Sequence, residues 1–84
     1  MSIEEINEAV EVIMHFDKFG MHPLRFKWHK RSYRVIQVNG TWASNKGRNR
    51  MYHFHVSTDN SDSFELIFDT DHMNWQLGRV WIEG

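Results

Sequence analysis

The chain has 84 residues and no cysteine, which excludes a disulfide framework and any thiolate-held metal. It has one proline, Pro23, and no run of about 18 apolar residues of the length a membrane-spanning helix requires. The first residues are acidic and lack the basic start and apolar stretch of a secretory signal, so a soluble bacterial cytoplasmic protein without a membrane role is expected. Acids are also missing from a long internal segment: between Lys18 and Arg50 there is none, although nine of the ten Lys and Arg residues lie there. Acids hold the flanks instead, with Glu4, Glu5, Glu8, Glu11 and Asp17 on one side and Asp59, Asp62, Glu65, Asp69, Asp71 and Glu83 on the other.

What the chain does have is aromatic mass. Phe, Trp and Tyr make up 14% of it, including four Trp, and such side chains bury a large area per residue. At this length one domain with a small core is expected, spanning residues 1–84, and contacts with a partner or a second copy have room to contribute.

Alternation dominates from Leu24 onward. Leu24, Phe26 and Trp28 point one way and Arg25, Lys27 and His29 the other, the period of a half-buried strand. A turn is expected at 29–32. Tyr33 and Val35, then Ile36, Val38 and Trp42, continue with a change of parity between Val35 and Ile36 that suggests a β-bulge. Asn39-Gly40 is a strong hairpin pair in isolation, but parity runs through it, so the reversal is expected at 44–49 with Gly40 as a kink or bulge. Tyr52, Phe54 and Val56 form the next strand, 59–62 a turn, Phe64, Leu66 and Phe68 a further strand. Another turn at 69–74 leads into Trp75, Leu77, Val80 and Ile82, with a bulge near Gly78.

The first segment is ambiguous. Ile3, Ile6, Val10 and Ile13 fit a helix, whereas Val10, Val12, Met14 and Phe16 alternate as a strand does. Residues 17–22 read as a connection ending at Pro23. The expected fold is mainly β, a curved antiparallel meander of five or six strands forming an SH3-like or half-open small barrel, with 1–7 as lead-in and 8–82 as sheet.

Pro23, Arg25, Phe26, Trp28, Arg31, Tyr33, Val35, Val38 and Trp42, followed by Phe64, Leu66, Asp69, Trp75, Leu77 and Arg79, resemble a small bacterial domain family of unknown function. That family occurs free-standing or attached to proteins related to error-prone, Y-family DNA polymerases. The resemblance covers about residues 8 to 82 and rests on spaced aromatic and Arg positions. Its P-V-E-V-like upstream stretch is similar to Ala9-Val10-Glu11-Val12, which favours a strand there. Where the family often has Gly before the turn Arg, this chain has Lys30, and a different turn is expected because Lys takes positive φ less readily. The resemblance implies a DNA repair or translesion setting and no activity.

Three groups of residues are candidates for function. Arg25, Lys27, Lys30, Arg31, Arg34, Lys46, Arg48 and Arg50, interleaved with aromatics, suit phosphate contact beside stacked bases. The alternative is that acidic neighbouring strands neutralise them. Trp81 is a candidate anchor for a protein partner or homodimer, and exposed edge strands are candidates for accepting a partner strand. His53 and His55 share one side of a strand and are weak candidates for a metal, with His29 or His72 as a third ligand. No cofactor is implied. Ser, His and Asp occur at spacings that suggest no triad, so a non-enzymatic accessory binding module is expected, with nucleic acid as ligand or, alternatively, protein docking.

Overall fold

The computed structural model describes residues 2–83. Six strands follow one another as β1 (Ser2–Asp17), β2 (Gly20–Trp28), β3 (Arg31–Lys46), β4 (Asn49–Thr58), β5 (Ser63–Asp69) and β6 (Asn74–Ile82). Each is antiparallel to the next, and β1 returns against β6, so the meander closes into a barrel. There is no helix among the described residues. The helical alternative for the first segment is therefore overturned, and strand extends back to Ser2 through what was expected to be a lead-in.

The reason lies in tertiary pairing. Ser2–Val10 runs along β6 and Glu11–Asp17 along β2, so β1 has a ladder partner over nearly its whole length. A register shift between Glu5 and Glu8, with Asn7 at φ 54°, interrupts the strand. The apolar residues on either side of that break mimic helical spacing.

The β1–β2 connection is shorter than expected. Asp17 pairs with Gly20, leaving only Lys18 and Phe19 in the turn, and Met21, His22 and Pro23 belong to β2. The register then steps from Ile13↔Arg25 to Met14↔Pro23, which leaves Leu24 as an extra residue. Its side chain is exposed while Pro23 and Phe26 are buried. Leu24 is thus not part of the core row predicted from alternation, because a bulge resets the parity of everything before Arg25.

Three other bulges occur, two where alternation predicted them, at Ile36 and Gly78, and one at Asn39, beside the Gly40 that was expected as a kink or bulge. Ile36 is extra between Val35↔Thr58 and Gln37↔Ser57, Asn39 between Val38↔Val56 and Gly40↔His55, and Gly78 between Glu65↔Arg79 and Leu66↔Leu77. Turns at 59–62 and 70–73 also match expectation. The β3–β4 reversal narrows to Gly47 and Arg48, with Gly47 at φ 64°.

The core consists of Phe26, Tyr33, Phe54, Val56, Phe64, Leu66, Leu77 and Val80. Phe26 stacks on Tyr33 at 5.0 Å and meets Phe64 edge-on at 5.1 Å, geometries that aromatic quadrupoles favour. Beyond Val35 the apolar side chains of β3 leave this core: Ile36, Val38 and Trp42 are 58%, 39% and 42% exposed.

The β2–β3 turn is His29-Lys30 alone, at φ 51° and 62°, with Trp28 paired to Arg31. Arg31 and Ser32, expected in the turn, are in β3. Two consecutive left-handed residues form the primed turn that matches strand twist, so Lys30 adopts the geometry Gly would take freely. Glu8 braces it, its Oε1 accepting from Trp28 Nε1 at 3.0 Å and lying 2.8 Å from His29 Nε2. A left-handed conformation costs an L-residue roughly 1 kcal/mol. Lys30→Gly is therefore expected to raise the melting temperature by about 4–8 °C, measured by thermal unfolding. An unchanged or lower melting temperature would contradict the assignment.

Candidate binding seam and the side chains around it

The ladder between β2 and β3 has four rungs, from Trp28↔Arg31 to Arg25↔Arg34. Beyond that last rung the two strands part. The rest of β2 pairs only with β1, and β3 from Val35 to Lys46 pairs only with β4. The parting leaves a seam in the barrel wall, occupied by a groove of about 420 Å³ lined by Phe19, Gly20 and Met21 from one bank and Thr41, Trp42 and Ala43 from the other. Tyr52, His53 and Phe54 complete the lining.

Backbone groups face this seam. Ladder bonds alternate sides along an antiparallel strand. Lys46↔Asn49 closes a two-residue hairpin, so Thr41, Ala43 and Asn45 direct their N–H and C=O away from β4. The carbonyl of Arg50, opposite Asn45, accepts from Thr70 N–H on the β5 side at 3.2 Å, as that alternation requires. Exposed apolar residues sit on both banks: Phe19, at 79% exposure the most open of them, and Leu24 on one, Ile36, Val38 and Trp42 on the other.

The basic residues frame the seam rather than forming one face. Arg25, Lys27, Lys30, Arg31 and Arg34 surround the β2–β3 hairpin, and Lys46, Arg48 and Arg50 sit around the β3–β4 turn, at the opposite end of the 16-residue β3. All eight are exposed. Among the described residues, none of them makes an ion pair within 4.0 Å; Arg79 is the Lys or Arg that does. Glu11 lies opposite Lys27 in register without closing on it.

Two other acids of β1, Glu8 and Asp17, are engaged elsewhere. Glu8 is taken by Trp28 and His29. Asp17 accepts the Phe19 N–H at 2.8 Å and meets His22 Nε2 at 3.0 Å, and these contacts hold its carboxyl below the usual range. Arg25 and Arg34 are directly opposed, an unfavourable rung of like charges.

On the outer face of β3 to β6 a chain of polar contacts crosses four strands. Ser44 Oγ lies 2.7 Å from His53 Nε2, and His53 Nδ1 lies 2.9 Å from Glu65 Oε2. Arg79 Nε donates to Glu65 Oε1 at 3.0 Å. Trp42 stacks on the His53 ring at 5.0 Å, nearly parallel at 10°. Glu65 is only 4% exposed. Burial pushes its carboxyl up, but hydrogen bonds from Arg79 and His53, with their charges, outweigh that and hold it below the ordinary range. An ionised carboxylate only accepts, so His53 Nδ1 carries a proton, and Nε2 accepts from the Ser44 hydroxyl when the ring is neutral and donates to it when the ring is charged.

The two weak metal candidates, His53 and His55, are engaged differently from one another. Both His53 nitrogens are engaged, and the His55 ring packs on Trp81 at 4.3 Å with its Nε2 buried and unpaired among the described residues. His29 is bound to Glu8, and His72 Nδ1 lies 3.0 Å from Asp69 Oδ2, so neither joins them. No group of three His, Asp or Glu residues suited to a metal occurs among the described residues. Trp81 is part-buried between His55 and the Arg79 guanidinium, which lies 5.4 Å from its ring centroid, and is less available as an anchor than its sequence position suggested.

Trp42 and the Ser44–His53–Glu65 chain were within reach of sequence reasoning only through the turn. Placing the reversal at Gly47-Arg48 aligns Trp42 with His53 and Ser44 with Met51; a broad 44–49 turn leaves that register open. Compared with protein-family models, curated proteins and solved structures, the chain matches none.

Asp69 ties the β5–β6 turn. Burial raises its carboxyl, but the His72 N–H, the Asn49 amide, the His72 ring and the Asp71 N–H together bring it from 3.8 down to about 2. A carboxylate whose folded value lies below its unfolded one contributes stability above the unfolded value and loses it as pH falls through the folded one. Urea midpoints are therefore expected to drop between pH 3.8 and about 2, and Asp69→Asn is expected to flatten that stretch while lowering stability at neutral pH. An unchanged acid slope in the variant would count against the tie.

Proposed function

We propose that the protein is an accessory binding module that takes single-stranded nucleic acid along the seam. One observation carries this reading: both banks of the seam come from the acid-free part of the chain, which places exposed aromatic side chains in the groove and cationic groups without ion pairs at the two ends of the seam. Phosphates are drawn to Arg25 and Arg34 at one end, where an anion relieves the like-charge rung, and to Lys46, Arg48 and Arg50 at the other. Bases stack on Trp42 and Phe19, since every base has a π-face. The free N–H and C=O groups of Thr41, Ala43 and Asn45 supply hydrogen bonds along the way. A cytoplasmic location, expected from the sequence, and a role beside error-prone polymerases, which the family resemblance implies, belong to this proposal.

A second reading is favoured by the unpaired edge itself. An extended peptide, from another protein or a second copy, would add a strand to β3 through the same backbone groups and place apolar side chains against Ile36 and Val38.

Anisotropy of a labelled single-stranded oligonucleotide at about 50 mM and about 200 mM salt separates the two. For nucleic acid, Trp42→Ala is expected to weaken binding by roughly 1–3 kcal/mol. Replacing Arg48 and Arg50 by Ala is expected to reduce the salt slope by about 0.7 per lost phosphate contact. Absence of binding at the lower salt removes the proposal and leaves strand addition.

A further inference from the structure

The contacts among Ser44, His53 and Glu65 have the order of a nucleophile, its base and the carboxylate that orients the base. Ser44 Oγ faces His53 Nε2 at 2.7 Å, and Glu65 Oε2 faces Nδ1 at 2.9 Å. Nucleophilic catalysis by serine needs this order, because the hydroxyl must hand its proton to the imidazole nitrogen that the carboxylate does not occupy. We propose that Ser44 is an activated nucleophile that accepts an acyl group from small aryl esters bound beside Trp42.

Each part of that site has a physical basis. The anionic Glu65, 4% exposed and anchored on the other side by Arg79, holds a proton on Nδ1, so that the neutral ring carries its lone pair on Nε2, the form the step uses. Trp42, stacked at 10° to the imidazole, restrains the plane of the ring. The His53 side chain is 14% exposed and its bond to Glu65 is part-buried, whereas Ser44 and its bond to Nε2 are open to an incoming ester. Trp42 also borders the 420 Å³ groove, which together with Phe19 offers an aromatic surface to the leaving group. Asn45, the residue after the nucleophile, lies on the unpaired edge of β3, and its free N–H is available to the developing oxyanion.

The step balances without a cofactor. As Ser44 Oγ bonds to the acyl carbon, its proton passes to His53 Nε2 and the carbonyl π pair moves onto oxygen. That pair then re-forms the carbonyl and expels the aryloxide, which takes the proton from His53. Water repeats the sequence, releasing the carboxylic acid and restoring Ser44. The ester site shares Trp42 and Phe19 with the nucleic-acid reading of the seam, but it rests on the Ser44–His53–Glu65 contacts and not on that reading.

The test is covalent labelling by a fluorophosphonate probe, in which Ser44 Oγ displaces fluoride at phosphorus, followed by mass mapping of the adduct. Expected is an adduct on Ser44 in the native chain, absent after unfolding in urea and absent in Ser44→Ala. In His53→Gln, with folding checked by circular dichroism, labelling is expected to slow by about 100-fold or more. The comparison of native with unfolded wild-type protein stands even if that variant does not fold. No adduct, an adduct only on other residues, one formed equally well in urea, or one formed at the same rate in folded His53→Gln would each overturn the proposal and leave the three side chains as a structural hydrogen-bond chain.

Discussion

A sheet of six strands closes on itself here because two of its strands serve different neighbours at different heights. β1 gives its first half to β6 and its second to β2; β3 gives Arg31–Arg34 to β2 and the remainder to β4. Neither could do so as a flat ribbon. The interruption around Asn7 bends β1, and the extra residues Ile36 and Asn39 bend β3, since each bulge adds local twist and turns the strand. This bending sets Phe26 and Tyr33, from the β2–β3 hairpin, against Phe64 from the far wall. The seam is the remainder of the same geometry: where β3 turns toward β4, β2 is left without its partner.

The outer face holds a second constraint. Glu65 is a buried charge outside the barrel, covered by its neighbours and satisfied by Arg79 and His53. Pairs of this kind seldom add much net stability, because desolvation offsets the attraction, but they penalise alternatives that leave one partner alone. Gly78 makes the packing possible: a Cβ there would stand 2.7 Å from both Glu65 Oε1 and Ile67 Cδ1. The bulge at Gly78 and the charge at Glu65 thus specify the β5–β6 register together, and through His53 that register reaches the orientation of Trp42.

How far the fold could be read in the sequence depended on whether the signal was local. Parity changes at Val35–Ile36 and near Gly78 are visible in alternation, and they became bulges. Leu24 was misassigned because its displacement comes from a register step against β1, which alternation within β2 cannot reveal. The first segment was ambiguous because apolar residues on two sides of an interrupted strand fall at helical spacing, and only β6 decides between them. The acid-free segment was evident, but not that its cations divide between the ends of β3. Ser44, His53 and Glu65 lie nine and twelve positions apart and meet only through the register of β3, β4 and β5; no spacing rule anticipates that meeting.

Pro23 gives the seam a property of its own. By ladder alternation against β1 its nitrogen faces the gap, where a proline has no hydrogen to offer. Immediately beyond it Leu24 is out of step, and across the gap Ile36 and Asn39 put β3 out of step as well. The two banks therefore cannot zip together above the Arg25–Arg34 rung: they lack a common register and, at Pro23, a donor. The gap is proofed against collapse by its own walls, and an outside strand that enters it meets no internal competitor for the edge of β3.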